Sequence, residues 1–114
     1  MELSGVNKHV LLCNGASCKR KGAEETTKAI RSEIKDQGLS DDIHTTLTLC
    51  NGRCQDGPTV VVYPDGDWYK HMTPKLGYKL IQTISQNQKL QECIAYSFNG
   101  KKFVSSTEQK KEND

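Results

Sequence analysis

Apolar and polar positions alternate over Ile43–Leu49. Ile43, Thr45, Leu47 and Leu49 fall on one side and His44, Thr46 and Thr48 on the other, the period of a β-strand. Lys8 to Leu12 is a shorter β-type run that ends at Cys13. Between the two, Ala23, Thr27, Ile30 and Ile34 recur at helical spacing, predicting a helix over Ala23–Gln37. Glu24 and Glu25 suit its positive N-terminal end, and Gly38 is a stop signal. Asn14 to Gly22 reads as a loop and Ser40-Asp41-Asp42 as a turn. Thr59-Val60-Val61-Val62-Tyr63 is a continuous β-branched run, the pattern of a central strand covered on both faces. Pro64-Asp65-Gly66 is a turn, and Asp67-Trp68-Tyr69 should return as an antiparallel neighbour. Thr73-Pro74 pairs an N-cap with an N1 proline, ahead of a helix with Leu76, Leu80, Ile81 and Ile84 on one face.

The order β-α-β-β-β-α predicts an α/β protein, a mixed β-sheet flanked by helices in the thioredoxin-like plan. Glu92 to Phe98 is a further strand candidate. Asn99-Gly100 is a hairpin turn, and Lys101 to Val104 can pair back. At 114 residues the chain is one domain, residues 1–104, with a core at about 8–85 and an extension over 86–104. Residues 105–114 are polar and read as a disordered tail.

A chain of this size buries enough core to fold without disulfides. It has no apolar run long enough to span a membrane and no signal-peptide segment, so a cytoplasmic protein is expected. In a reducing compartment, clustered cysteines are more often metal ligands or redox thiols than disulfides. The net charge is only +2, with Lys and Glu mixed throughout and no basic stripe with interleaved aromatics, which argues against nucleic-acid binding.

The chemistry lies in two similar stretches. Leu11-Leu12-Cys13-Asn14-Gly15-Ala16-Ser17-Cys18 and Leu49-Cys50-Asn51-Gly52-Arg53-Cys54 each read as strand, Cys-Asn-Gly, then a second Cys on a turn. The 31 residues between the pairs hold one helix and one strand, so a β-α-β return brings both loops to the same edge of the sheet. Four thiolates from facing loops form a cage for a metal or a metal cluster. Asn14, Gly15, Asn51 and Gly52 are placed to bring backbone N–H groups to sulfur, and Arg53 adds positive field.

These residues resemble the thioredoxin-like [2Fe-2S] ferredoxins, a family related to the small cluster-bearing subunit of respiratory NADH dehydrogenase. The resemblance runs from about His9 to Ile84. It rests on Cys13, Cys18, Cys50 and Cys54, on Gly57-Pro58 leading into Val60-Val61-Val62-Tyr63-Pro64, and on Trp68-Tyr69. It implies one [2Fe-2S] cluster held by the four cysteines, one-electron transfer between redox partner proteins, and a homodimer in many members. The respiratory subunit has a helical domain before its ferredoxin fold, whereas only a few residues precede the first strand here, so a stand-alone carrier is expected. Some stand-alone members resemble accessory ferredoxins of cobalamin biosynthesis, though no residue selects that pathway.

Two alternatives stay open from the residues themselves. An all-cysteine site also suits zinc in a structural interaction module, although zinc knuckles favour two-residue gaps. A thiol-disulfide oxidoreductase would usually use Cys-x-x-Cys, which is absent. No catalytic base, nucleophile pair or phosphate loop is present, so an electron-transfer protein is expected rather than an enzyme. Cys93 reads as a small apolar residue in a C-terminal strand. Lys19, Arg20 and Lys21 beside a ligand, together with Trp68, are the candidates for docking a redox partner.

Overall fold

The computed structural model describes residues 2–107. The chain runs β1 (Lys8–Cys13), α1 (Ala16–Arg20), α2 (Ala23–Asp36), β2 (Ile43–Thr48), β3 (Val60–Tyr63), β4 (Asp67–Tyr69), α3 (Pro74–Ser85), β5 (Ile94–Phe98) and β6 (Phe103–Ser105). The six strands form one mixed sheet in the order β2-β1-β3-β4-β5-β6. β1 and β2 are parallel, with Leu12 opposite Leu47 and Cys13 opposite Thr48; every other pairing is antiparallel.

One face of this sheet carries the core. Val10, Leu12, Val60, Val62, Tyr69 and Ile94 alternate inward and meet Ile30 and Ile34 of α2 and Leu80 and Ile81 of α3. The two helices approach closely at Gly77, where a Cβ would lie 2.9 Å from the Ile30 side chain. α2 ends as expected: Gly38 has φ +70°, Leu39 N–H donates to Ile34 O at 2.9 Å, and Gly38 N–H donates to Lys35 O at 3.0 Å. That pair of bonds satisfies carbonyls the helix end leaves open. α3 starts with the Thr73 hydroxyl accepting from Leu76 N–H and with Pro74 at the first turn. β3 lies between β1 and β4 with Val60, Val61 and Val62 all buried, which explains its unbroken apolar run.

Three expectations need correction. The stretch 14–22 is not all loop: Ala16–Arg20 forms the short helix α1, too brief to show helical periodicity in the sequence. β2 alternates, but only Ile43 is buried; Leu47 and Leu49 are 51% and 81% exposed. β2 is an edge strand, and its far end leads into the Cys50 loop. The C-terminal hairpin exists, but Cys93 sits in a 3₁₀ turn (Gln91–Cys93) ahead of β5, and the Asn99-Gly100 corner spans four residues, with Asn99 Oδ1 accepting from Lys101 and Lys102 N–H. β6 ends at Ser105, one residue into the stretch read as tail; 108–114 lie outside the described residues.

The extension is fastened from below. Asp67 on β4 is fully buried, accepts from the Ser97 hydroxyl at 2.6 Å and pairs with Lys89 at 3.0 Å. A buried carboxylate needs such partners to stay in place. No helix among the described residues is long and apolar enough to cross a membrane.

Candidate metal centre

The two ligand loops meet at the C-terminal ends of the parallel pair β1 and β2. Their closeness is read from Gly15, where a Cβ would lie 2.9 Å from Cys50 N and 3.0 Å from Cys50 Cα. Only a residue without a side chain lets the backbones approach this far. Cys13 N–H donates to Thr59 O at 3.1 Å, and Asn14 N–H donates to Thr48 O at 2.8 Å, so the first loop is stitched to the strands on both sides.

Cys13 and Cys18 are 4% and 3% exposed and cluster with Ala23. Cys13 Sγ approaches Leu49 O at 3.4 Å. Cys18 lies against Gly57, where a Cβ would come within 2.8 Å of its sulfur. Burial pushes the Cys18 thiol above its ordinary pKa. Cys50 and Cys54 are exposed, with their sulfurs 3.4 Å apart. Gly52 N–H donates to Cys50 Sγ at 3.2 Å and lowers its pKa, while Cys54 is raised by its neighbour Cys50. Two thiolates on one tetrahedral iron or zinc lie about 3.8 Å apart, given metal–sulfur bonds of ~2.3 Å, so the exposed pair needs little adjustment to share a metal ion.

The residues flanking the ligands divide by role. Gly52 brings its N–H to sulfur as expected. Gly15 instead provides the close approach of the loops. The Asn14 side chain is buried and donates to Leu12 O at 3.2 Å and Thr27 Oγ1 at 3.1 Å, and Asn51 donates to Thr48 Oγ1 at 3.1 Å. Both asparagine side chains therefore hold scaffold, and the Asn14 backbone N–H, expected near sulfur, goes to Thr48 O instead. The Arg53 guanidinium pairs with Asp56 at 2.8 Å and lies over the Tyr96 ring, 5.0 Å from its centroid. The sequence assigned Gly57, Asp56 and Tyr96 no place at the site: Gly57 counted only in the Gly57-Pro58 step of the resemblance, and Tyr96 is 42 positions past Cys54 and carries no local signal.

The docking candidates do not form one surface. Lys19 lines a groove of about 420 Å³ with Lys28, Arg31, Leu47 and Leu49, between α2 and β2. Arg20 is exposed in the last turn of α1. Lys21 Nζ donates to Cys54 O at 2.8 Å and so holds the second loop. Trp68 lines a different cleft, with Asn51, Arg53, Tyr96 and Phe103.

Comparison with known proteins bears on the same region. Residues 3–85 match the family model of the thioredoxin-like [2Fe-2S] ferredoxins. A protein of Priestia megaterium named "Putative 2Fe-2S ferredoxin" is 46% identical over 104 residues, covering 90% of this chain and 81% of that one. A 2Fe-2S ferredoxin of Clostridium pasteurianum is 30% identical, covering 69% of this chain and 85% of its own. The crystal structure of the wild-type thioredoxin-like [2Fe-2S] ferredoxin from Aquifex aeolicus superposes with a TM-score of 0.71 at 27% identity, covering 78% of this chain and 96% of that one. With the fold, the two adjoining cysteine loops and these similarities together, the chain belongs to the thioredoxin-like [2Fe-2S] ferredoxins, electron carriers whose cofactor is one [2Fe-2S] cluster.

Proposed function

We propose that Cys13, Cys18, Cys50 and Cys54 hold the cluster, with the buried pair on the inner side and the exposed pair on the outer. The carrying observation is the contact of Gly15 with the Cys50 backbone, which brings the two cysteine-bearing loops together. When bound, the cluster accepts and releases a single electron. The chain's own groups bias that exchange. The Gly52 N–H points at the Cys50 sulfur and favours the more negative reduced state. Free thiols at Cys13, Cys18, Cys50 and Cys54 suit a reducing cytoplasm, where iron rather than a disulfide claims them.

The outer pair is also where a partner protein meets the carrier. Leu49 is 81% exposed immediately before Cys50, and Lys19, Lys28 and Arg31 stand around the adjoining groove with Glu24 as the one acid. Apolar surface rimmed by positive charge complements an acidic redox partner. The carrier role is as far as the proposal goes, since no residue around the site selects a pathway, cobalamin synthesis included.

The test is anaerobic purification with iron, sulfide and zinc analysis beside the visible spectrum. The expected sample is red-brown, with iron and acid-labile sulfide in equal amounts and both lost in Cys→Ala variants. A colourless sample with stoichiometric zinc would establish a structural zinc module instead.

A further inference from the structure

Arg53 stands between two proposed ligands, and its side chain is not free. Its Nε meets Asp56 Oδ2 at 2.8 Å, and its guanidinium carbon lies 5.0 Å from the centre of the Tyr96 ring. Asp56 closes the 3₁₀ turn that begins at Cys54, so it moves with the same loop. Tyr96 does not. It is carried by β5, opposite Trp68 of β4 and Ser105 of β6, in the middle of a paired strand. The hairpin of β5 and β6 lies wholly beyond residue 85, where the family match ends. Much of the loop is open, with Cys50, Gly52, Cys54 and Gln55 exposed and Gly52 at φ +83° with open space around it. Its other holds are Lys21 on Cys54 O, Asn51 on Thr48 Oγ1 and His71 N–H on Asp56 O, none of which touches the Arg53 side chain. A guanidinium over an aromatic face is attracted by the ring quadrupole and loses the freedom to swing into solvent.

We propose that Tyr96 is a positioning residue for the cluster, seating the Arg53 side chain and thereby holding the Cys50–Cys54 loop and its positive charge beside the outer thiolates. Two effects follow. A loop held at its midpoint keeps both thiolates directed at the metal, which slows loss of iron. A cation kept close to the cluster favours the reduced form, which carries one more negative charge, and so raises the potential.

The experiment compares wild type, Tyr96→Leu, Tyr96→Phe, Arg53→Gln and the Tyr96→Leu/Arg53→Gln pair, all as cluster-loaded protein. Two quantities are read: the rate of iron release to an excess of chelator, and the midpoint potential by voltammetry. Tyr96→Leu should release iron several-fold faster and shift the potential to a more negative value. Tyr96→Phe keeps the aromatic face and should match wild type in both. Arg53→Gln should behave like Tyr96→Leu, and the double variant should be no worse than Arg53→Gln. Wild-type behaviour of Tyr96→Leu would overturn the proposal. So would additive effects in the double variant, because Tyr96 would then act by some route other than Arg53. The inference rests on the four cysteines holding the cluster. Failure of that premise shows separately, as wild-type protein without iron or sulfide.

Discussion

The two ligand loops look like copies in the sequence, and the fold treats them as opposites. In the first, Cys13, Asn14, Gly15 and Cys18 are all buried, and α1 carries Cys18 inward against Gly57. In the second, Cys50, Gly52 and Cys54 are exposed, and what holds the loop comes from outside it: Thr48, Lys21 and Tyr96. Even the glycines differ. Gly15 has φ −64°, open to any residue, and is needed because Cys50 backbone occupies the place of its side chain. Gly52 has φ +83° with nothing near it, and is needed for its backbone angle. One loop is part of the core and the other lies at the surface. A cluster held by the four proposed cysteines would be anchored on its inner side and open to exchange on its outer side.

The contrast can be broken most strongly at the cysteines. Cys18→Ala and Cys54→Ala should each lose the cluster, seen in iron and sulfide content. Only Cys18→Ala should also destabilise the metal-free protein, by about 1 kcal/mol, because it alone opens a void in packed surroundings. Equal melting temperatures for the two metal-free variants would remove the distinction.

The glycines come next. Gly15→Ala forces a Cβ into backbone and should cost about 1–3 kcal/mol, with reduced cluster content after purification. Gly52→Ala meets no atom and should cost only its left-handed backbone angle, about 1–2 kcal/mol. Chemical denaturation with iron analysis separates them: the first should lower both stability and loading, the second mainly stability.

The asparagines should show the same order at smaller scale. Asn14→Ala strips donors from the buried Leu12 carbonyl and Thr27 hydroxyl and should cost about 1–3 kcal/mol, whereas Asn51→Ala, in the partly exposed loop, should cost about 1 kcal/mol or less. Smallest of all is the effect of surface charge on folding. Lys19→Ala with Arg20→Ala should leave stability within about 0.5 kcal/mol of wild type. The same pair should slow oxidation of the reduced protein by an anionic cobalt(III) complex at low salt, and the difference should fade as ionic strength rises. An unchanged rate at low salt would take the basic turn out of the exchange surface.

Much of this was legible in the chain, and each success has a local cause. α2, α3, their caps and β3 are written in periodicity and in residues such as Gly38 and Thr73, whose effect reaches only a few positions along the backbone. The four thiols were legible because Cys-Asn-Gly recurs at both ends of a single β-α-β return. What escaped notice depended on distant partners. The exposure of Leu47 and Leu49 follows from β2 being an edge, which alternation does not reveal. The hold on Arg53 follows from a hairpin 40 residues later folding back beside β4.

The sequence by itself determined the order of elements, the four candidate ligands and the kind of metal chemistry they suit, since spacing and residue type act through short stretches of chain. Tertiary structure alone decided which pair is buried and which is open, which glycine serves closeness and which serves its angle, and which side chain steadies the outer loop. Those are questions of who occupies the space next to whom, and neighbours in space are set only when the sheet is paired and the helices have closed over one of its faces.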